Sequence, residues 1–186
     1  MNNILLAFCL IFFACQGKKN QTFIDNTISI ARINERSISA EELKFYMSLE
    51  KANTVNYFFQ KYKAEVDQRF WNLKFDQEVP IEFLRNSAWH LIQKDQRIKQ
   101  LALDNRLLEK ADFASLLEAM EEENKVREQM IQEHKIIYGP TKFDRRSYYF
   151  YYMSQLENQL KKIGIVDFDQ PLDITLDSVA FHQMTL

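Results

Sequence analysis

Apolar residues recur every three to four positions along most of the chain, which is the spacing of amphipathic helices. Ser39 and Glu42 have the spacing of a capping box, and apolar residues on one helical face follow them. From about Thr54 to Phe70, aromatic and aliphatic residues again keep helical spacing. The pattern therefore predicts two successive helices in this part of the chain.

Three further helices are predicted by their start and stop signals. Pro80 suits the first turn of a third helix, which should run to about Leu103. Asp112 is expected to cap a fourth helix. A fifth should begin near Thr141 and end at Gly164, in the usual stop position for glycine.

Two short segments alternate between apolar and polar residues instead. Residues 27–34 are rich in β-branched side chains, and residues 34–37 are expected to form the turn that follows. Near the C-terminus, Leu172, Ile174 and Leu176 alternate in the same way. The predicted fold is mainly α, a bundle of about five helices with a small two-stranded β element that joins the N- and C-terminal segments.

The N-terminus has the features of a bacterial export signal. Ile4 to Ala14 is an uncharged apolar run, too short for a bilayer span of about 20 residues but typical of a signal-peptide core. It ends at Cys15 and resembles a lipobox, so we predict a signal peptide at 1–14, a lipidated Cys15 with a tether at 15–26, and one helical domain at 27–186. The protein should then be exported and lipid-anchored to the cell envelope, facing the periplasm or the outside. The alternative is an ordinary secretory signal with an incidental cysteine.

Composition argues against several classes of function. The formal net charge is −2, whereas a nucleic-acid-binding domain needs a basic face. With three glycines there is no glycine-rich loop for a nucleotide and no nucleophile elbow. The three histidines are far apart, and no metal motif is present. We therefore expect no cofactor, no metal and no catalytic residue, although a pair of carboxylates could still meet in the folded chain.

Aromatic residues make up 13% of the chain and include the run from Tyr148 to Tyr152. Adjacent helical residues point about 100° apart, so one helix cannot turn all five rings inward. Such rings either pack under a neighbouring helix or form an exposed groove for apolar polypeptide. The candidate polypeptide-binding residues are Tyr148, Tyr149, Phe150, Tyr152, Phe58, Phe59 and Trp71.

Several short motifs together resemble the N-terminal domain of SurA/PrsA-type chaperones, the helical part of envelope proteins that also carry a parvulin peptidyl-prolyl isomerase. Residues 30–34 and 38–43 are similar to that family's first strand and first helix. Residues 70–71, 122–127 and 138–140, with the Tyr-rich helix after them, are similar to a branch that lacks the isomerase.

The resemblance implies the client-binding part of such a chaperone without its enzyme. After Ile137 only residues 138–144 precede the last long helix, which leaves no room for a parvulin module. The leading hypothesis is a non-catalytic, membrane-anchored chaperone-like protein that binds unfolded or exported polypeptides without ATP. The alternative is a structural or assembly subunit that binds one fixed envelope partner.

Overall fold

The computed structural model describes residues 28–186 and is mainly helical, with a small antiparallel sheet. The proposed signal peptide, Cys15 and the tether lie outside the described residues, so export and lipidation stay predictions. The elements in chain order are β1 (Ser29–Ile33), β2 (Arg36–Ser39), α1 (Ala40–Tyr62), a 3-10 turn (Phe70–Asn72), α2 (Pro80–Asp104), α3 (Phe113–Gln132), α4 (Arg145–Lys162), β3 (Ile174–Leu176) and α5 (Ser178–His182).

The sheet joins the two ends of the domain, as predicted. Its strand order is β2-β1-β3, and Ala31 pairs with Leu176 while Ile33 pairs with Ile174. It has three strands rather than two, because residues 36–39, part of which was predicted as a turn, pair with β1. The turn itself is confined to the two residues between β1 and β2, and Asn34 there has a positive φ of 52°.

One continuous helix, α1, replaces the first two predicted helices. Ser39 caps it by accepting a hydrogen bond from the Glu42 amide, 3.1 Å long. The reciprocal bond of a capping box is absent here, because the Glu42 side chain is buried beside Gln96 instead. The helix ends at Tyr62, since Lys63 adopts the left-handed conformation, and the prediction that helix continues to Phe70 was wrong.

Helix α2 begins at Pro80 as predicted and packs against both α1 and α4. Its inward stripe of Leu84, Ala88, Ile92 and Ile98 is fully buried in the main core. Fully burying one such aliphatic side chain stabilises the fold by about 1.5–3 kcal/mol. Helix α2 is therefore the element around which the others are arranged.

A separate cluster of rings lies at the far end of α1, and we call it the aromatic lobe: Phe58, Ala64 and Phe70 are its buried centre, with Val55, Tyr57, Tyr62, Trp71, Phe75 and Phe83 around it. The Glu78 carboxylate accepts hydrogen bonds from the hydroxyls of Tyr57 and Tyr62 at 2.9 and 2.8 Å. The lobe thus holds the irregular segment between α1 and α2 in place.

Helices α3 and α4 are joined by a loop that is fixed by two α3 side chains. The Asn124 amide donates to the Phe143 carbonyl and accepts from the Phe143 amide, at 3.0 and 2.7 Å. Arg127 donates to the carbonyls of Tyr138 and Pro140. Helix α4 then begins at Arg145, later than predicted, where Asp144 forms a complete capping box.

Candidate polypeptide-binding surface

A cleft of about 390 Å³ lies between α1, α2 and α4. We call it the α1–α4 cleft, and its lining residues are Leu49, Glu50, Ala52, Asn53, Leu91, Lys94, Asp95, Arg146, Tyr149, Phe150, Met153, Ser154 and Glu157. Apolar side chains of all three helices line it together with charged ones. Such a surface can take an apolar side chain of another molecule while the charged groups remain in contact with water.

The floor of the cleft is built around Asp95 of α2. Its Oδ2 accepts hydrogen bonds from the hydroxyl of Tyr46 on α1 and that of Tyr149 on α4, at 2.8 and 2.7 Å. All three side chains are buried. Hydrogen bonds to a charged acceptor are the stronger ones in proteins, so Asp95 ties both flanking helices to α2 and fixes the width of the cleft.

Further charged groups lie buried beside Asp95. Burial raises the pKa of Asp95 above its ordinary value of 3.8, against the opposing effects of Lys99 and the tyrosine hydroxyls. Burial likewise lowers the pKa of Lys99 and raises that of Glu42, while the attraction between these two groups opposes both shifts. Burial outweighs these attractions for all three groups and disfavours their charged forms, and in the described residues the Lys99 Nζ atom has no hydrogen-bond partner.

The rim of the cleft carries an exposed ring. Phe150 is 51% exposed, and the guanidinium carbon of Arg146 lies 5.4 Å from the centre of that ring. Tyr149, its neighbour in sequence, points into the core with only 3% exposed. One turn of α4 thus supplies both the anchor of the floor and the apolar contact at the rim.

A second apolar strip continues from the cleft along α1. Ala52 lines the cleft and also borders a shallow depression with Val55 and Phe59. These residues are three and four positions apart and so share one face of the helix. We call this strip, with the flanking Ser48, Lys51, Asn56 and Lys63, the α1 face. Phe59 is 51% exposed, and in the described residues no element covers the ring.

The structure separates the seven candidate residues into three groups. Tyr148, Tyr149 and Phe58 are buried, so a partner cannot reach their rings in the folded state. Tyr152 and Trp71 are half-buried. Phe150 and Phe59 are exposed, and they lie on the cleft rim and the α1 face respectively. A binding role for these accessible rings remains a prediction.

Sequence reasoning missed the non-aromatic part of the surface. Lys51 and Ala52 precede the second helix, which was predicted to begin near Thr54, whereas Val55 lies within it, so their common face was not recognised. The signal was present, because no glycine or proline interrupts residues 40–62 and a continuous helix places Ala52, Val55 and Phe59 in one row.

Two features that are typical of other protein classes are absent from residues 28–186. None of their helices is both long enough and apolar enough to cross a bilayer. Nor do the histidine, cysteine and carboxylate side chains in that range gather into a group of three that could hold a metal ion.

Comparison with known proteins gives one partial similarity. No protein-family model matches the chain, and no solved structure matches it. Over 102 residues it is 28% identical to a protein of Bifidobacterium longum subsp. longum named chaperone for lacto-N-biosidase. That match covers 55% of this chain and 36% of the relative, so the chain is similar to little more than a third of that protein.

The similarity is to a protein named as a chaperone, and a chaperone-like or partner-binding role of this chain is consistent with it. It does not establish a family, and the resemblance to the SurA/PrsA N-terminal domain stays a prediction.

Proposed function

We propose that this protein is a non-catalytic chaperone-like protein of the bacterial envelope that binds unfolded or exported polypeptides. The α1–α4 cleft and the α1 face are its binding surface, and a lipid on Cys15 holds it to the membrane. The main support for this proposal is the row of accessible apolar side chains that runs from Phe150 through Ala52 to Phe59. The partial similarity to a chaperone supports it independently.

The surface is suited to weak and reversible binding of a client polypeptide. Phe150 and Phe59 each offer about half of a ring, and covering apolar area is worth roughly 25 cal/mol per Å². Because association also costs freedom of motion, a few such contacts give modest affinity and fast release. A protein that hands its client on to folding or transit needs that kind of binding, and no nucleotide is required for it.

A second candidate function is that of a chaperone specific for one partner protein. The similar protein is named for a single enzyme, lacto-N-biosidase, and this favours a fixed partner over a broad range of clients. On this alternative the same cleft recognises one envelope protein during its assembly. The two versions differ in a pull-down, which should yield either a single stoichiometric partner or many unfolded ones.

The proposal is tested by aggregation suppression with the purified protein. A reporter enzyme diluted out of urea should scatter less light in the presence of a few equivalents of the wild-type protein. The double variant Phe150→Ser/Phe59→Ser should need about tenfold more protein for the same effect, because losing about 1.5 kcal/mol of apolar contact is about a tenfold change in affinity.

The matched control is Val179→Ser on α5, which removes a 65% exposed apolar side chain outside the proposed surface. It should suppress aggregation as the wild type does. If the wild type leaves aggregation unchanged and also captures no single partner, the proposed function is wrong. Equal losses in the control and the double variant would show that the surface was assigned incorrectly.

A further inference from the structure

The α1 face is basic as well as apolar. Residues 51–63 contain three lysines and no aspartate or glutamate, in a chain whose formal net charge is −2. Lys61 is compensated, since its ammonium lies 2.9 Å from the Glu78 carboxylate. Within residues 28–186, no carboxylate lies within ion-pair distance of Lys51 or Lys63, nor of Arg146 at the cleft rim.

Each of these three cations lies over an aromatic ring. The Lys51 ammonium is 5.6 Å from the centre of the Trp71 ring, and that of Lys63 is 5.7 Å from the Phe59 ring. Arg146 has the same relation to Phe150 at 5.4 Å. A cation in this position is attracted by the ring but keeps its outer side in water. The positive charges are thus held beside the apolar contacts and remain free to meet a carboxylate.

The spacing of the cations sets a length for the ligand. Lys51 and Lys63 are both on α1 or at its end, and a helical rise of 1.5 Å per residue separates them by about 18 Å. An extended peptide covers about 3.3 Å per residue, so about five or six residues span that distance.

We infer that the preferred ligand of the α1 face is an extended polypeptide segment in which a short apolar stretch is flanked by aspartate or glutamate residues. This inference rests on the proposed function and specifies its substrate class. The apolar side chains lie along Ala52, Val55 and Phe59, and the flanking carboxylates pair with Lys51 and Lys63. An acidic and apolar segment is therefore preferred over a basic one of equal hydrophobicity.

The test uses three fluorescein-labelled peptides with the same central leucine and phenylalanine residues and with flanking Glu, Gln or Lys. Binding to the purified protein is measured by fluorescence anisotropy at low and high salt. The Glu peptide should bind about tenfold tighter than the Lys peptide at low salt. The preference should shrink as salt rises, because the screening length falls from about 30 Å at 0.01 M to about 3 Å at 1 M.

Variants locate the effect. The double variant Lys51→Gln/Lys63→Gln should bind the Glu peptide no better than the wild type binds the Gln peptide. The matched control Lys110→Gln/Lys162→Gln removes two exposed lysines from outside the α1 face and should keep the full preference. Thermal unfolding of both double variants checks that each is folded.

The outcomes separate this inference from the proposed function. Equal binding of the three peptides by the wild type overturns the inference and leaves polypeptide binding intact. No binding of any peptide, together with a negative aggregation assay, overturns both. A third outcome is that the protein binds phosphatidylglycerol vesicles but not phosphatidylcholine vesicles. If that binding is lost in the Lys51→Gln/Lys63→Gln variant and is unaffected by the Glu peptide, the inference is overturned and the α1 face binds a lipid surface instead.

Discussion

Replacing Tyr149 with phenylalanine isolates one hydrogen bond in the floor of the cleft. The substitution removes the hydroxyl that donates to Asp95 Oδ2 at 2.7 Å and leaves the ring packed against Phe45 and Tyr46 of α1. Asp95 is 3% exposed, so water cannot replace the lost donor without a rearrangement. We therefore expect the free energy of unfolding to fall by about 1.5–3 kcal/mol, the usual value of a hydrogen bond to a charged group.

The effect is large enough to measure by urea denaturation followed by circular dichroism. In a domain of this size, each 1 kcal/mol also lowers the melting temperature by roughly 2–4 °C. Tyr148→Phe is the matched control, because Tyr148 is the neighbouring buried tyrosine on the same helix and its hydroxyl does not contact Asp95 in the described structure. Its stability should stay within about 0.5 kcal/mol of the wild type.

A double-mutant cycle makes the test specific. In an Asp95→Asn background, Tyr149→Phe should cost clearly less than in the wild type, because the charged acceptor is gone. Equal losses for Tyr149→Phe and Tyr148→Phe, or a Tyr149→Phe loss below about 0.5 kcal/mol, would refute the idea that Asp95 ties α4 to α2.

Three further predictions concern the scaffold. Asn124→Ala should cost about 2–4 kcal/mol in urea unfolding, because it leaves the buried amide and carbonyl of Phe143 unpaired, and an unchanged stability would contradict the geometry of this loop. Phe70→Ala should cost about 3–5 kcal/mol by leaving a cavity in the aromatic lobe, and a loss under 1 kcal/mol would show that the lobe packs loosely. The pKa of Asp95 is raised above 3.8 in the folded state, so its contribution to stability is full below that value and is lost as pH rises through the folded pKa. The stability of the wild type relative to Asp95→Asn should therefore decline from about pH 4 upward. A stability difference that increases with pH would contradict this prediction.

The helices were predictable where local signals agree with the tertiary structure. Pro80 starts α2 and Asp112 caps α3, because both act within one helical turn. Helix α1 was misread because its buried face changes along its length. Its first half buries Leu43 and Met47 in the main core, whereas its second half buries Phe58 in the aromatic lobe.

The candidate site was predictable only in part. A run of five rings indicates that some of them are exposed, and Phe150 is exposed in the structure. The direction of each ring, however, depends on where α4 packs against α1 and α2. Tyr149 points inward because its hydroxyl donates a hydrogen bond to the Asp95 carboxylate, and these two residues are 54 positions apart in the sequence. A buried carboxylate cannot be recognised without knowing which chain segments surround it.

Site-specific photo-crosslinking shows whether Phe150 and Phe59 contact a bound polypeptide. A photoreactive phenylalanine analogue is placed at Phe150, Phe59 or, as the control, Val179, and the protein is irradiated with an unfolding client. If the proposed surface binds the client, covalent adducts form at Phe150 and Phe59, and few form at Val179. Equal amounts of adduct from Val179 and from both phenylalanines would contradict the assignment of the binding surface. So would the absence of adducts from either phenylalanine in a sample that suppresses aggregation.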